Sequence, residues 1–355
     1  MRVLQIIDSL DAGGAERMVI NFANALCEKI EFSGIVVTRK EGILKRELSK
    51  NVAYFYLNKM TRIDFNSVKL LKKIIIQNKI DFIHAHGTSF FTVFLVKIIH
   101  FKIKIIYHEH YGNRASQSQF RNIPLIFCLL FFNQIVVVNN QLKDWFVKTG
   151  FKKTIFLSNF GSFDENIITE TKLLGQDNKR IICLANLKNP KNHILLLKTF
   201  HSLNLMDENW SLHFVGKIFN DDYSIKISDF INEFYLNDFV YLYDMKSDIK
   251  NILSQATIGV LCSTDEGFPV TLLEYGLAKL PVICSRVGFC ADIIIDKQTG
   301  LLFESDNIND LSLNLKYLVS NLNLRKSLSL NLNAHIKNNF SQEKIIDELI
   351  NIYNQ

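Results

Sequence analysis

The chain has 355 residues, of which 48% are hydrophobic and 21% charged, a composition that excludes an intrinsically disordered polymer and supplies apolar material for two packed cores. Its formal charge of +6 is unevenly spread: residues 1–165 carry 23 Lys and Arg against 13 Asp and Glu, and the remainder 18 against 22. The basic half either meets an anionic partner, such as phosphate or an acidic lipid surface, or is simply a solvated face; its cations form no dense run of the kind that grips nucleic acid.

In chain order, residues 3–7 read as a strand and 14–26 as a helix. Strands follow at 35–37 and 54–57, a helix at 67–77, a strand at 81–84 with a helix up to residue 99, and strands at 104–107 and 135–138. Strands separated by helices imply a parallel sheet covered on both faces. Residues 162–179 are polar and hold no core run, so they read as an inter-domain linker. The alternation then restarts, with strands at 180–184, 211–215, 240–242, 258–262 and 281–284, helices at 193–201 and 270–277, and an amphipathic helix at 341–353. The expected class is α/β: one domain over residues 1–165, a second over 166–340, and a terminal helix in 341–355. Two such sheets are expected to face a central cleft, with functional residues in the loops that follow strands. No run reaches the roughly 20 apolar residues of a membrane span. The longest, 123–132, reads as a buried or interfacial helix, so membrane contact would be peripheral. The opening apolar run is too short for a secretory h-region. Six cysteines without a C-x-x-C pair read as buried thiols of a reducing cytosol.

Gly13 and Gly14 follow the first strand and allow close backbone approach to a ligand at a helix N-terminus. They do not spell G-x-G-x-x-G, and the second strand ends in Thr38-Arg39, without the carboxylate that would hold a nicotinamide ribose. His84, His86, His108 and His110 end two strands at alternate positions, so each pair points to one side. They read as structural rings or, with Glu109, as a zinc site. Asn186, Lys188 and Lys191 follow the strand at 180–184; a cation there would neutralise a leaving diphosphate, or is merely exposed near a helix start. The strongest signal is Glu266-Gly-Phe-Pro-Val-Thr-Leu-Leu-Glu274. Pro269 suits the first turn of a helix, whose free N–H groups and dipole favour an anion such as a diphosphate. Glu274, one turn further in, leans back toward that end and could accept from both hydroxyls of a ribose, while Glu266 could meet a sugar at the other end of the diphosphate. Taken singly, the two glutamates read as a loop carboxylate and a solvated helix residue.

Residues 263–288, STDEGFPVTLLEYGLAKLPVICSRVG, resemble the signature of retaining glycosyltransferase family 4, the glycosyl transferases of group 1 with the GT-B fold. Glu266, Gly267, Phe268, Glu274, Pro281, Val282 and Gly288 fall in the family's register. Gly13-Gly14-Ala15-Glu16-Arg17 resembles the family's opening, and His110 its strand-end histidine facing the donor sugar. The family's second-domain Arg and Lys fall on Asn186 and Lys191, with Lys188 as a substitute cation; Phe289 replaces the second Gly of a Gly-Gly pair and Asp292 a Glu. The resemblance implies catalytic roles for His110, Glu266 and Lys191. It implies donor contacts from Gly14, Asn186, Lys188, Lys191, Glu266, Gly267, Phe268, Pro269, Val270 and Glu274, and an acceptor side at Gly13 and His86. The implied reaction moves a hexose-type sugar, with retention, from a UDP- or GDP-sugar to a glycan or lipid-linked acceptor. No cofactor, metal or nucleic acid is expected; no D-x-D triplet occurs. The implied setting is bacterial capsule, O-antigen or exopolysaccharide synthesis, in the cytoplasm or peripherally on the inner face of the membrane, with the terminal helix crossing back to the first domain. The alternatives are a nucleotide-sugar epimerase on the same fold and a non-catalytic scaffold that binds nucleotide sugar.

Overall fold

In the computed structural model the chain divides into two compact units, Met1–Asn159 with Gln342–Gln355, and Phe160–Ser341. The structure describes residues 1–11, 13–112, 114, 117, 119–163 and 169–355; the expected domain boundary at 165/166 lies outside the described residues.

The first unit runs β1 (Arg2–Ser9), α1 (Gly14–Leu26), β2 (Phe32–Lys40), β3 (Ala53–Tyr56), α2 (Phe65–Gln77), β4 (Phe82–His86), α3 (Phe90–Ile99), β5 (Lys104–Glu109), α4 (Gln119–Leu129), β6 (Gln134–Val137), α5 (Asn140–Lys148) and β7 (Thr154–Phe156). Its seven strands are parallel in the order β3-β2-β1-β4-β5-β6-β7. Side chains alternate across the sheet, as the period of an extended chain requires. Leu4, Ile6, Val36, Ile83 and Ile105 pack against Leu71, Ile74 and Val93 of α2 and α3. Ile7, Ile35 and Val37 meet Val19, Ile20 and Ala23 of α1 on the other face. Helical starts are chemically marked: Asp64 accepts from the Ser67 N–H to cap α2, and Asn139 from Leu142 to cap α5.

The second unit runs β8 (Arg180–Leu184), α6 (His193–Ser202), β9 (Ser211–Val215), α7 (Asp222–Glu233), β10 (Val240–Tyr243), α8 (Ile249–Ser254), β11 (Ile258–Leu261), α9 (Val270–Leu277), β12 (Val282–Ser285), α10 (Cys290–Ile293), β13 (Leu301–Phe303), α11 (Ile308–Ser320) and α12 (Leu322–Asn339). Six parallel strands lie in the order β10-β9-β8-β11-β12-β13. The last helix, α13 (Gln342–Asn354), belongs to the first unit, where it packs beside α1. In each sheet the strand order reverses once, between β1 and β4 and between β8 and β11, the place where open α/β sheets bind ligands at their carboxyl ends.

The expected strands are present, with some ends extended and others shifted or shortened by a residue or two. β7 and β13, three residues each at sheet edges, are too short to show a period in the sequence. The apolar run expected as a helix at 123–132 forms α4, which starts earlier and carries Pro124 inside it.

Candidate active site

In the second unit the chain leaves β11 through a polar loop and enters α9. Glu266 is buried in that loop, and a buried carboxylate must be paired to stay ionised at tolerable cost. Its Oε1 accepts from Ser263 Oγ at 2.6 Å and from Lys191 Nζ at 2.5 Å. Lys191 arrives on the loop between β8 and α6, which the Thr264 N–H ties down through the Pro190 carbonyl at 2.8 Å. Ser285 Oγ, at the end of β12, donates to the Ser263 carbonyl at 2.5 Å. Gly288 has φ +49°, and a Cβ there would lie 1.7 Å from the Glu266 carbonyl oxygen, so only glycine lets the following loop lie against Glu266. Burial and the neighbouring Glu266 push the Asp265 carboxyl up from its ordinary value.

Glu274 is buried one turn inside α9, on the same short stretch as Gly267, Phe268, Pro269 and Val270. Two features of this stretch bear on its ligand. α9 starts at Val270 as expected, with Pro269 as the residue before it, but the N–H groups of Val270 and Leu272 already bond to the Phe268 and Pro269 carbonyls at 3.1 and 3.0 Å. The helix tip therefore offers fewer free donors for an anion than expected. Phe289, where the sequence pattern wants a second glycine, stacks on Phe268 with ring centroids 4.9 Å apart. The departure exchanges backbone freedom for aromatic packing.

Lys188 is exposed, its ammonium 5.8 Å from the Phe219 ring centroid, and no described contact joins it to Glu266. Asn186 Oδ1 accepts from the Lys217 N–H at 2.9 Å, so it fastens the loop after β8 to the loop after β9. Two residues of α9 that sequence reading passed over hold the site together. Thr271 Oγ1 donates to the Leu184 carbonyl at 3.1 Å, and the Tyr275 hydroxyl accepts the Leu184 N–H at 2.8 Å. Their i, i+4 spacing, which puts both on one helix face, was the available signal.

In the first unit, Gln5 and His84 in the middle of β1 and β4 and His86, His108 and His110 at the ends of β4 and β5 share one face of the sheet. Phe22 of α1 lies against three of the rings, and Tyr353 of α13 closes one side. The imidazoles stack in a ladder, with centroids 4.1 Å apart for His108 and His110 and 4.3 Å for His84 and His86. Burial holds His84 and His110 down at about 3 and the other two well below the ordinary range, so all four rings are neutral. Neutral rings fix the hydrogen positions. Gln5 Oε1 only accepts, so His86 donates to it from Nε2 at 2.6 Å; the bare Nδ1 of His86 then accepts from His110 Nε2 at 2.8 Å. That leaves His110 Nδ1 as a lone pair without a partner among the described residues. On the other branch His84 Nδ1 shares a hydrogen bond with the Tyr353 hydroxyl at 2.7 Å, and His84 Nε2 with His108 Nδ1 at 3.2 Å.

Donor atoms of His84, His86 and His108 lie within 4.8 Å of one another, a spacing a metal can use. Their lone pairs, however, lie in stacked ring planes, and both nitrogens of His84 and of His86 are already engaged in hydrogen bonds. Glu109, read from the sequence as a possible metal companion, turns instead to Tyr107, the Tyr111 N–H and Arg114 at 2.7, 2.9 and 2.6 Å. This buried pair clamps the chain on both sides of His110. Gly13 precedes α1 in extended conformation, and a Cβ on it would meet the Glu16 carboxylate at 2.1 Å; a Cβ on Gly14 would meet nothing within 4 Å.

The family model described as Glycosyl transferases group 1 matches residues 164–334, and the one described as Glycosyltransferase Family 4 matches residues 12–157. An uncharacterized glycosyltransferase of Haemophilus influenzae is 23% identical over 349 residues, covering 95% of each chain. A Campylobacter jejuni alpha-1,4-N-acetyl-D-galactosaminyltransferase, named for an undecaprenol-diphosphate-linked acceptor, is 24% identical over 342 residues, 92% of this chain and 91% of its own. Among solved structures, Anabaena HepE in complex with UDP-glucose superposes with a TM-score of 0.82 at 15% identity, over 100% of this chain and 99% of that one.

Proposed function

The chain belongs to the GT-B glycosyltransferases of the group 1, family 4 type and is a transferase enzyme; from that premise we propose that it is a retaining, metal-independent hexosyltransferase. Its donor is a UDP- or GDP-sugar and its acceptor a glycan or lipid-linked saccharide of bacterial surface-polysaccharide assembly. It works in the cytoplasm, at the inner face of the membrane. The C. jejuni relative named for an undecaprenol-diphosphate acceptor and the structural neighbour holding UDP-glucose support this choice of partners. No helix among the described residues is long and apolar enough to cross a membrane.

The observation that carries the proposal is the buried Glu266, paired with the partly exposed Lys191 at the carboxyl end of a parallel sheet and eight residues ahead of the buried Glu274. In this reading Glu274 accepts from the ribose hydroxyls and Glu266 from hydroxyls of the transferred sugar. Lys191 exchanges part of its contact with Glu266 for the diphosphate and so neutralises charge as the sugar–phosphate bond breaks. The acceptor oxygen bonds to the anomeric carbon on the face the phosphate leaves, and its proton passes to the departing phosphate oxygen. His110, with a bare Nδ1 of fixed tautomer, faces developing positive charge on the sugar as a neutral ring. The protein's contribution is position and electrostatics.

The test is transfer from a panel of UDP- and GDP-sugars to an undecaprenyl-diphosphate-linked saccharide, with and without a chelator. The expected product keeps the donor's anomeric configuration and forms at the same rate in chelator. Isomerisation of the donor without acceptor, or a rate abolished by chelator and restored by a divalent ion, overturns the proposal.

A further inference from the structure

Gln5, Tyr353 and the four histidines of the first unit are joined end to end. On one side of Gln5, Oε1 meets His86 Nε2 at 2.6 Å, and His86 Nδ1 meets His110 Nε2 at 2.8 Å. On the other side Gln5 Nε2 meets the Tyr353 hydroxyl at 3.3 Å, the hydroxyl meets His84 Nδ1 at 2.7 Å, and His84 Nε2 meets His108 Nδ1 at 3.2 Å. Two ring nitrogens are left over, His108 Nε2 and His110 Nδ1. Both are buried, and neither has a partner among the described residues. They are the two ends of one hydrogen-bonded wire.

A neutral imidazole carries one proton, and each contact along the wire holds one, so the rings cannot choose their tautomers independently. With Gln5 Oε1 turned to His86, the protons of His86 and His110 both lie on Nε2. The Tyr353 oxygen then takes the Gln5 N–H, and its own proton has one acceptor left, His84 Nδ1. His84 and His108 are thereby also protonated on Nε2. Turning the Gln5 amide over reverses every bond and moves all four protons to Nδ1. Any other arrangement leaves a contact without a proton, fills one twice, or buries the hydroxyl proton without an acceptor, and each of these is costly in a buried network.

We propose that Gln5 and Tyr353 are positioning residues that set the polarity of this wire, and so turn a lone pair of His110, rather than an N–H, toward the transferred sugar. Both are fully buried, at 0% and 1% exposure, so they act on the sugar only through the rings. A lone pair accepts from a sugar hydroxyl and attracts developing positive charge, whereas an N–H in the same place opposes that charge. The use of the wire rests on the assignment of His110 to the donor sugar made above; its polarity does not.

Long-range proton–nitrogen NMR of the full chain, with its histidines labelled with nitrogen-15, reads the tautomers without any substrate. In the wild type all four rings are expected to be protonated on Nε2. Gln5→Met keeps the volume and removes the amide; His86 and His110 should then populate both forms, and should change together. Tyr353→Phe should release His84 and His108 in the same way. In transfer assays Gln5→Met should lower kcat by about two- to tenfold and leave the donor KM within about twofold, the mark of an interaction made in the transition state. Wild-type rings protonated on Nδ1 overturn the proposal, as do tautomers that Gln5→Met leaves unchanged. A kcat equal to that of the wild type despite released tautomers overturns the positioning role. If the tautomers behave as expected while the wild type transfers no sugar, the transfer reading fails and the wire stands.

Discussion

In the second unit, Ser263, Glu266, Glu274 and Gly288 lie within 26 residues of one another, and only Lys191 is brought in from elsewhere. In the first unit, the polar cluster draws single residues from positions 5, 84, 86, 108, 110 and 353, aligned by strand register and closed by the last helix. The second cluster rests on charge, with a carboxylate paired to an ammonium. The first rests on neutrality, with four buried imidazoles sharing hydrogen bonds. A parallel sheet thus supports polar chemistry at its carboxyl end either by a local loop or by register. The two modes should respond differently to perturbation.

Acid separates them most strongly. Burial holds His84 and His110 at about 3 against an ordinary 6.5, and lowers His86 and His108 as well, whereas the second unit has His193 at about 4 and His213 at about 3. The unfolded chain takes up protons below 6.5 and the folded one does not. Stability is therefore intact above that pH and is lost as pH falls toward 3, at about 1.4 kcal/mol per ring for each pH unit. The second unit also has His335, lowered by burial but only partly buried. With four fully buried rings against these three, the first unit should open first as pH falls below 6.5. Hydrogen exchange read separately over the two units checks this, and earlier opening of the second unit would break the comparison.

Next in size is Lys191→Ala. Losing a contact that strengthens as the phosphate departs should lower kcat/KM by about 10²–10³-fold, or ~2.7–4 kcal/mol. A fall of less than tenfold in steady-state kinetics removes Lys191 from that role. A pair of glycine substitutions then contrasts the units. Gly288→Ala places a Cβ on the Glu266 backbone at positive φ and should lower stability by about 1–3 kcal/mol or more. Gly14→Ala fills open space at a helix start and should leave stability equal or about 0.5 kcal/mol higher. Equal denaturant midpoints for the two would show that the loop after β12 moves freely. Smallest is Tyr353→Phe, which strips His84 Nδ1 and Gln5 Nε2 of their shared partner and should cost about 1–2 kcal/mol in denaturant unfolding.

What was legible in the sequence follows the same division. The alternation of β-branched runs and helical patterns gave both parallel sheets, because each strand buried on two faces is apolar throughout. The acid pair was visible because one loop and one helix carry it at fixed spacing. The partnership of Gln5 and Tyr353 with the histidines was not visible, since no local pattern specifies which residue of β1 or α13 meets which residue of β4. The Glu109–Arg114 clamp was missed for a related reason: His-Glu-His looks like a ligand set until its carboxylate is seen facing the other way. The occupied N–H groups of Val270 and Leu272 were not visible because a helix start in the sequence does not show which of its first N–H groups turn back onto local carbonyls.

The most direct test of the donor site is calorimetric titration of UDP, without a sugar, into the wild type, Glu274→Gln and Glu266→Gln. Glu274 is assigned the ribose and Glu266 the sugar. UDP affinity should therefore fall about tenfold or more in Glu274→Gln, the loss of a charged hydrogen bond, and stay within about twofold in Glu266→Gln. Unchanged UDP binding by Glu274→Gln would contradict the assignment of this carboxylate to the nucleotide.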